Sequence, residues 1–367
     1  VSQPSNTSTQ IQATIALGRP DPEIWTIAAP MTQPYEALAQ TLACGLCSST
    51  DRRVIEGRLP FHQGYPAVLG HESISRILQP AQSGGWNQGS WVTRGCAVWP
   101  GVGRDGLLGA WGAMADQVLV RDPQALKMLE APSDGASQYA AQQQQIPKEL
   151  PLVGAVLAIS VGEVLSWLRR VGSMAGKKVV ILGGGFVGYL LVLLCRAEGA
   201  DQVHLLVRRE ERGAKARILG ADEAWSSDPA RCWEVKTALN GGADYLLDAS
   251  GDGLALAGWC SVVAPGGTVA AFGIPDDGCF LVPVGGLDDG VKFIAPRPKE
   301  VEALADGIQL LGAGRVPVSQ LLTHVWRWPE DMGEALSAVR AGLVTKGIFL
   351  WPGASLDQTA VDEAARN

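Results

Sequence analysis

Apolar residues follow two different rhythms along this chain. From residue 11 to about 159 they come in short runs broken by glycine and proline, such as Ala67-Val68-Leu69 and Gln117-Val118-Leu119-Val120. That texture predicts irregular β structure with many turns. From about 160 to 295, apolar strands alternate with segments of helical length and period. Lys178-Val179-Val180-Ile181-Leu182 reads as a buried strand, residues 186–198 as a helix, and Val203-His204-Leu205-Leu206-Val207 as a second strand. Residues 210–219 read as a helix closed by Gly220, with further strands at 245–248 and 268–272. Apolar strands alternating with helices predict a parallel sheet covered on both faces. Beyond 296 the pattern gives a helix near 299–311 and a last strand at 347–351. The polar stretch 138–151, with glutamine at each of positions 142–145, reads as a linker or surface insertion. No internal repeat is present.

Composition narrows the class. The chain has 367 residues, 47% of them apolar and 18% charged, which suits globular domains and excludes a charge-tract or disordered protein. Thirty basic against 37 acidic residues give a net charge of −7, the wrong sign for a nucleic-acid binder. No uninterrupted apolar run reaches the length of a membrane span; residues 186–195 come nearest and stop at Arg196. Residues 1–10 are polar, without the cationic and apolar regions of a signal peptide, and read as a loose tail. Seven cysteines, an odd number, suit a reducing cytoplasm better than a disulfide framework. Nothing in the pattern accounts for the twelve tryptophans.

Gly183-Gly184-Gly185-Phe186-Val187-Gly188 matches GxGxxG, follows a predicted strand and opens a predicted helix. In that context Gly183 makes the tight turn, Gly185 lets the backbone approach a pyrophosphate, and Gly188 lets helix and sheet meet. The anion would sit on amide donors at the helix start. The second strand of an NAD site ordinarily ends in an acid that holds the ribose hydroxyls. Here it ends in Val207-Arg208-Arg209. Two guanidinium groups suit a 2′-phosphate, so NADP(H) is favoured over NAD(H). The bland alternative is that Arg208 and Arg209 begin an exposed helical turn, neutralised by Glu210 and Glu211.

A second constellation runs Cys44-Gly45-Leu46-Cys47, Thr50-Asp51, Gly57, then Gly70-His71-Glu72. Thiolate, imidazole and carboxylate are all zinc ligands, although spacing alone does not establish a site. Cys44-x-x-Cys47 has redox form but lacks a thioredoxin-like context, and Cys44 reads as a small core residue.

Taken together, Cys-x-x-(Ser/Thr)-Asp, Gly-His-Glu, the glycine-rich β region and the GxGxxG unit resemble the medium-chain, zinc-dependent alcohol dehydrogenase superfamily over about residues 11–351. Its sorbitol- and threonine-dehydrogenase-like members are the nearest in pattern. The resemblance implies a GroES-like β-rich catalytic domain made of residues 1–159 and 296–367, with a doubly wound Rossmann domain, 160–295, inserted between. It implies Cys47 and His71 as zinc ligands and Glu72 as an adjacent carboxylate able to ligate. Thr50 or Ser49 would be the hydroxyl that takes the substrate proton, and Asp51 the carboxylate that orients His71. Lys346 would approach the cofactor pyrophosphate; Phe272, Gly273 and Ile274 would lie near the nicotinamide.

Three departures stand out. Cys47 and Asp51 are separated by three residues instead of two, which leaves Ser49 and Thr50 both open. The family's further ligand would fall at Ala158 or Ile159, which cannot bind metal, leaving Glu163 one turn later as the candidate. The four-cysteine lobe of the family's structural zinc is absent, since residues 95–115 hold only Cys96. The expectation is therefore an oxidoreductase with one zinc at most, acting with NADP(H) on a small alcohol, polyol or carbonyl. A homodimer paired along a sheet edge near 285–293 is expected, with no nucleic-acid or membrane partner. A zinc-free quinone- or enoyl-reductase-like enzyme and a non-catalytic dinucleotide-binding protein are the alternatives.

Overall fold

Six parallel strands form the sheet of the second half of the chain, in the order Glu223–Ser226, Gln202–Val207, Lys178–Leu182, Ala243–Asp248, Val263–Ala271, Lys292–Ile294. By sequence that order is three-two-one-four-five-six, the doubly wound Rossmann arrangement. Val179, Val180 and Ile181 on the first strand, and Val203, Leu205 and Leu206 on the second, are fully buried. Burial on both faces is why these strands read as continuous apolar runs. The helix Phe186–Ala197 buries eight of its residues, from Gly188 to Cys195. Strand order reverses between Lys178–Leu182 and Ala243–Asp248, and the glycine loop leaves the sheet at that point, where such folds open a crevice.

This computed structural model describes residues 9–354 other than 63, 132 and 284, so nearly all of the tail read at 1–10 lies outside the described residues. The chain divides into two units, Val1–Ile159 with Val318–Asn367, and Ser160–Pro317. The expected boundary at 295 is therefore displaced: residues 296–317 stay with the second unit. The cause is packing on the helix Leu152–Val171. Lys299 N donates to Ser166 Oγ (2.9 Å), Arg169 pairs with Asp306 (2.5 Å), and the backbone of Leu304 lies against Gly162.

The first unit is β-rich and built from both ends of the chain. Its seven-stranded sheet runs His324–Arg327, Gly347–Leu350, Glu36–Leu46, Glu72–Gln79, Trp91–Thr93, Gln145–Ile146, with Gln117–Arg121 also paired to Glu36–Leu46. A four-stranded sheet runs Glu23–Ala28, Gln10–Ala16, Ala67–Val68, Leu108–Gly109. The tryptophans find their explanation here and in the other unit. Six of the twelve are buried, and in the first unit Trp326, Trp328 and Trp351 fill one core cluster with Phe349. Trp328 stacks on Trp351 with centroids 4.5 Å apart and donates its indole hydrogen to Thr14. Large flat side chains supply buried area where strands are short and glycine is frequent.

One other expectation changes. The polar stretch 138–151 is integrated instead of a free linker. Gln143 is buried, accepting from Arg121 N (2.8 Å) and donating to Arg94 O (2.8 Å), and Gln145–Ile146 extends the large sheet. Leu152–Val171 is also a 20-residue helix apolar enough, by length and mean hydropathy, to cross a membrane, although Ser160, Glu163 and Ser166 interrupt its apolar run. Its apolar window is 89% buried inside the protein, as a central core helix would be.

Candidate functional site

Cys47 follows directly from the long strand Glu36–Leu46, and the helix Thr50–Ile55 begins three residues later. The turn between them points backbone amides at side chains. Thr50 N donates to Cys47 Sγ (3.3 Å), and Cys47 N donates to Asp51 Oδ2 (2.8 Å). The other oxygen of Asp51 lies 3.0 Å from His71 Nδ1. Asp51 is 1% exposed and His71 7%. A buried carboxylate on Nδ1 fixes the imidazole so that Nε2 is the available nitrogen, the arrangement found behind metal-bound histidines. Arg94 Nη1 holds the His71 carbonyl at 2.6 Å. Burial disfavours the imidazolium, but Asp51, the hydrogen bond the charged ring donates to Cys47 and the charge of Glu72 outweigh it, raising the His71 pKa well above the ordinary value. Cys47, His71 and Asp51 are thus brought together.

Glu72 is not spent where it was expected. Its carboxylate pairs with Lys346 Nζ, both groups being nearly inaccessible, and it packs over Gly45, where any Cβ would come within 2.5 Å of Glu72 Oε2. That pairing also places Lys346 against Gly45, where its Cε lies 3.3 Å from where a Cβ would be. Among the described residues, no group of three or more His, Cys, Asp or Glu side chains is arranged to hold a metal ion. Glu163, on Leu152–Val171, is half-buried and belongs to no such group. The donor chemistry of Cys47 and His71 suits zinc, but these two supply only half of a tetrahedral set. Ser49 is exposed at the start of its helix and makes no capping bond through its side chain, whereas Thr50 is half-buried against Cys47.

The second site lies wholly in the other unit. Gly183 has φ +118° and Gly188 sits so tightly that a Cβ would fall 1.8 Å from Gly183 O. Gly185 is the opposite case: a Cβ there meets nothing within 4 Å, leaving open space in front of the first turn of Phe186–Ala197. A half-exposed glycine lip before a twelve-residue helix fits a pyrophosphate on helix-start amides. Phe186 and Val187 are half-buried in that first turn. Arg208 and Arg209 are exposed at the end of Gln202–Val207, with Arg209 Nε 3.4 Å from Glu211. Arg212 joins them. Its Nη1 donates to Gly184 O (2.8 Å), and burial, followed by the charges of Arg209 and Arg208, lowers its pKa. Pattern reading passed over Arg212, yet it stands four residues after Arg208, where a helix returns to the same face.

Gly273 packs against Gly251, where a Cβ would lie 2.2 Å from Gly251 N. Phe272 turns its ring onto Trp167 at 5.4 Å and 87°, and Ile274 is exposed. Asp248, fully buried at the end of its strand, gathers this rim by accepting from Ser250 Oγ, Ser250 N and Gly251 N.

Residues 187–286 match the family model described as "Zinc-binding dehydrogenase". The chain is 31% identical over 193 residues to a geraniol dehydrogenase of Castellaniella defragrans, covering 50% of this chain and 51% of that one. The alignment therefore spans about half the length of that curated relative. An NADP-dependent isopropanol dehydrogenase of Thermoanaerobacter brockii is 25% identical over 85% of this chain and 91% of its own. The benzyl alcohol dehydrogenase structure from Acinetobacter calcoaceticus superposes with a TM-score of 0.77 at 19% identity, over 93% of this chain and 99% of that one. The chain thus has the fold of medium-chain alcohol dehydrogenases, a Rossmann sheet with a β-rich first unit, and is similar in sequence to zinc-binding dehydrogenases over residues 187–286.

Proposed function

We propose that this protein is an oxidoreductase that moves a hydride between NADP(H) and a small alcohol or the matching carbonyl. The observation that carries the reading is the Cys47–His71–Asp51 arrangement, in which one buried carboxylate fixes both the turn at Cys47 and the ring of His71. The likeness to dehydrogenases of geraniol, isopropanol and benzyl alcohol supports the reaction class, and one of these relatives is named as NADP-dependent.

In this reading, Cys47 Sγ and His71 Nε2 would hold zinc, which would supply Lewis acidity at the substrate oxygen, and a bound nicotinamide would supply the hydride chemistry. Every other task falls to the chain itself. Asp51 accepts from His71 Nδ1 and keeps the ring in one tautomer. Thr50 Oγ1, in preference to the exposed Ser49, would accept the hydroxyl proton of the substrate while passing its own hydrogen on to water. The helix-start amides at Gly185 to Gly188 hold the pyrophosphate, and Arg208 and Arg209 hold a 2′-phosphate. A homodimer along the edge strand Lys292–Ile294 is part of the proposal, and light scattering tests it.

Assay of the purified chain with NADP+ and NAD+ over a panel of alcohols tests the reaction. Turnover with NADP+ supports it, and tight NADPH binding with no turnover makes the protein a non-catalytic binder. Metal analysis tests the ligands. We expect about one zinc per chain in the wild type and its loss in Cys47→Ser, with NADPH binding retained. A second reading, a zinc-free reductase of the same superfamily, is favoured by the pairing of Glu72 with Lys346 and by the lack, among the described residues, of a third donor grouped with Cys47 and His71. Full turnover by metal-stripped wild-type protein would establish it.

A further inference from the structure

We propose that Trp111 is the specificity-determining wall of the substrate site, and that it selects an alcohol whose carbinol carbon carries a planar, apolar ring. The proposal rests on the oxidoreductase reading and narrows its substrate class.

Position comes first. The ring centroid of Trp111 lies 5.0 Å from that of His71, with the planes tilted by 44°. Three backbone hydrogen bonds set that placement. Ala110 N donates to Val68 O (2.8 Å), Met114 N to Leu69 O (2.7 Å) and Ala113 N to Gly70 O (3.0 Å). The segment carrying Trp111 is therefore stitched, on both sides of the ring, to the residues leading into His71. From behind, Gly109 and Gly112 press on Val98 O, at 2.2 and 2.7 Å from where their Cβ atoms would be. A wall fixed this way holds its distance from the reacting atoms.

Conformation comes second. Trp111 has φ +63°, a left-handed conformation that a bulky side chain adopts at an energetic penalty. Glycine would make the same turn without strain, and the neighbouring Gly112 does so at φ +87°. Only the indole distinguishes Trp111 from such a glycine, so the strain is attached to the ring. The ring packs against the apolar core cluster, as Tyr65 and Leu108 do, yet stays half-buried, keeping part of its surface accessible.

The chemistry around it selects the ligand. A polyol needs several acceptors and donors aimed at its hydroxyls. The two carboxylates beside His71, Asp51 on its ring and Glu72 next to it in the chain, are already engaged inside the protein, Asp51 with His71 and Cys47 N, and Glu72 with Lys346. What this unit offers beside His71 is an indole face, which suits stacking or edge contact with another ring.

The test uses the full chain as wild type, Trp111→Phe and Trp111→Gly, the last because glycine accepts the backbone conformation. Steady-state kinetics with NADP+ compare benzyl alcohol, ethanol and xylitol, and saturation-transfer NMR reads benzyl alcohol binding in the presence of NADPH. We expect the ratio of kcat/KM for benzyl alcohol over ethanol to fall about tenfold or more in Trp111→Gly, mainly through KM, and by less in Trp111→Phe. The Phe variant decides if the Gly variant does not fold. An unchanged ratio, or a wild type that prefers xylitol, overturns the wall and leaves the oxidoreductase reading standing. If no alcohol is oxidised but ring saturation transfer is seen and vanishes in Trp111→Gly, the wall stands and the oxidoreductase reading falls. Absence of both turnover and transfer overturns both.

Discussion

Single positions carry most of the chemistry. Gly183, Gly185 and Gly188 were legible in the sequence because a nucleotide loop limits side chains through sterics, and the measured clearances reproduce that logic: 1.8 Å behind Gly188 and open space at Gly185. Cys47, Asp51 and His71 were legible as a motif, and the structure joins them by short-range hydrogen bonds. The partner of Glu72 was not legible, since Lys346 lies 274 positions away and no local pattern encodes such a pairing. Nor could the backbone of Trp111 be read, because a positive φ in a bulky residue is imposed by its surroundings. For Arg208 the expectation is specific. Replacing it with alanine removes a charge-assisted contact to a 2′-phosphate, worth about 1.5–3 kcal/mol or roughly ten- to a hundredfold in affinity. Fluorescence titration should show that loss for NADPH and little change for NADH. Equal losses for both would assign Arg208 to a contact common to the two cofactors, and no loss for either to the exposed turn before the helix Glu210–Ile218.

Elements record where local pattern suffices and where tertiary contacts override it. The four inner parallel strands announce themselves because both faces are buried, and their expected positions differ from the structure by a few residues at the ends, whereas the partly exposed edge strand Glu223–Ser226 gave no such signal. The segment 138–151 was misjudged because glutamines look solvent-bound in isolation. Gln143 instead satisfies the backbone of two neighbouring segments from a buried position. Close by, Arg121 ties the strand Gln117–Arg121 to Glu36 (3.1 Å) and to Asp134 through two bonds of 2.6 and 2.8 Å, with its guanidinium near the rings of Trp99 and Tyr35. The hydrogen bond from Arg121 holds the Asp134 carboxyl below its ordinary value of 3.8, against the opposing effect of burial. A depressed folded-state pKa stabilises above the unfolded value and loses that contribution as pH falls through the folded one. The stability of the wild type against urea should therefore fall below about pH 4. Asp134→Asn should be less stable at neutral pH and should lose less on acidification. Because Asp134 is partly exposed, the effect is modest. Parallel pH profiles for the two proteins would remove Asp134 from this role.

At the scale of the whole molecule, the surplus of acidic residues and the two-unit plan were readable from composition and periodicity. The return point of the chain was not, because the segment 296–317 belongs with the second unit through its packing on Leu152–Val171, a long-range property. The second unit is continuous in sequence, so a fragment of residues 160–317 is expected to fold alone and bind NADPH. Circular dichroism and fluorescence titration check this, and a fragment that stays unfolded would show that its sheet needs the rest of the chain. The first unit cannot behave that way. Its strand Gly347–Leu350 lies between Glu36–Leu46 and His324–Arg327, and Lys346 just before it holds Glu72. On a translating ribosome, the nucleotide-binding half can therefore mature while the catalytic half still waits for its inner strand. Until residue 350 has emerged, Glu72 lacks the Lys346 ammonium and the long strand before Cys47 lacks its neighbour Gly347–Leu350, so nascent chains are most exposed to mispairing beside the Cys47–His71 pair.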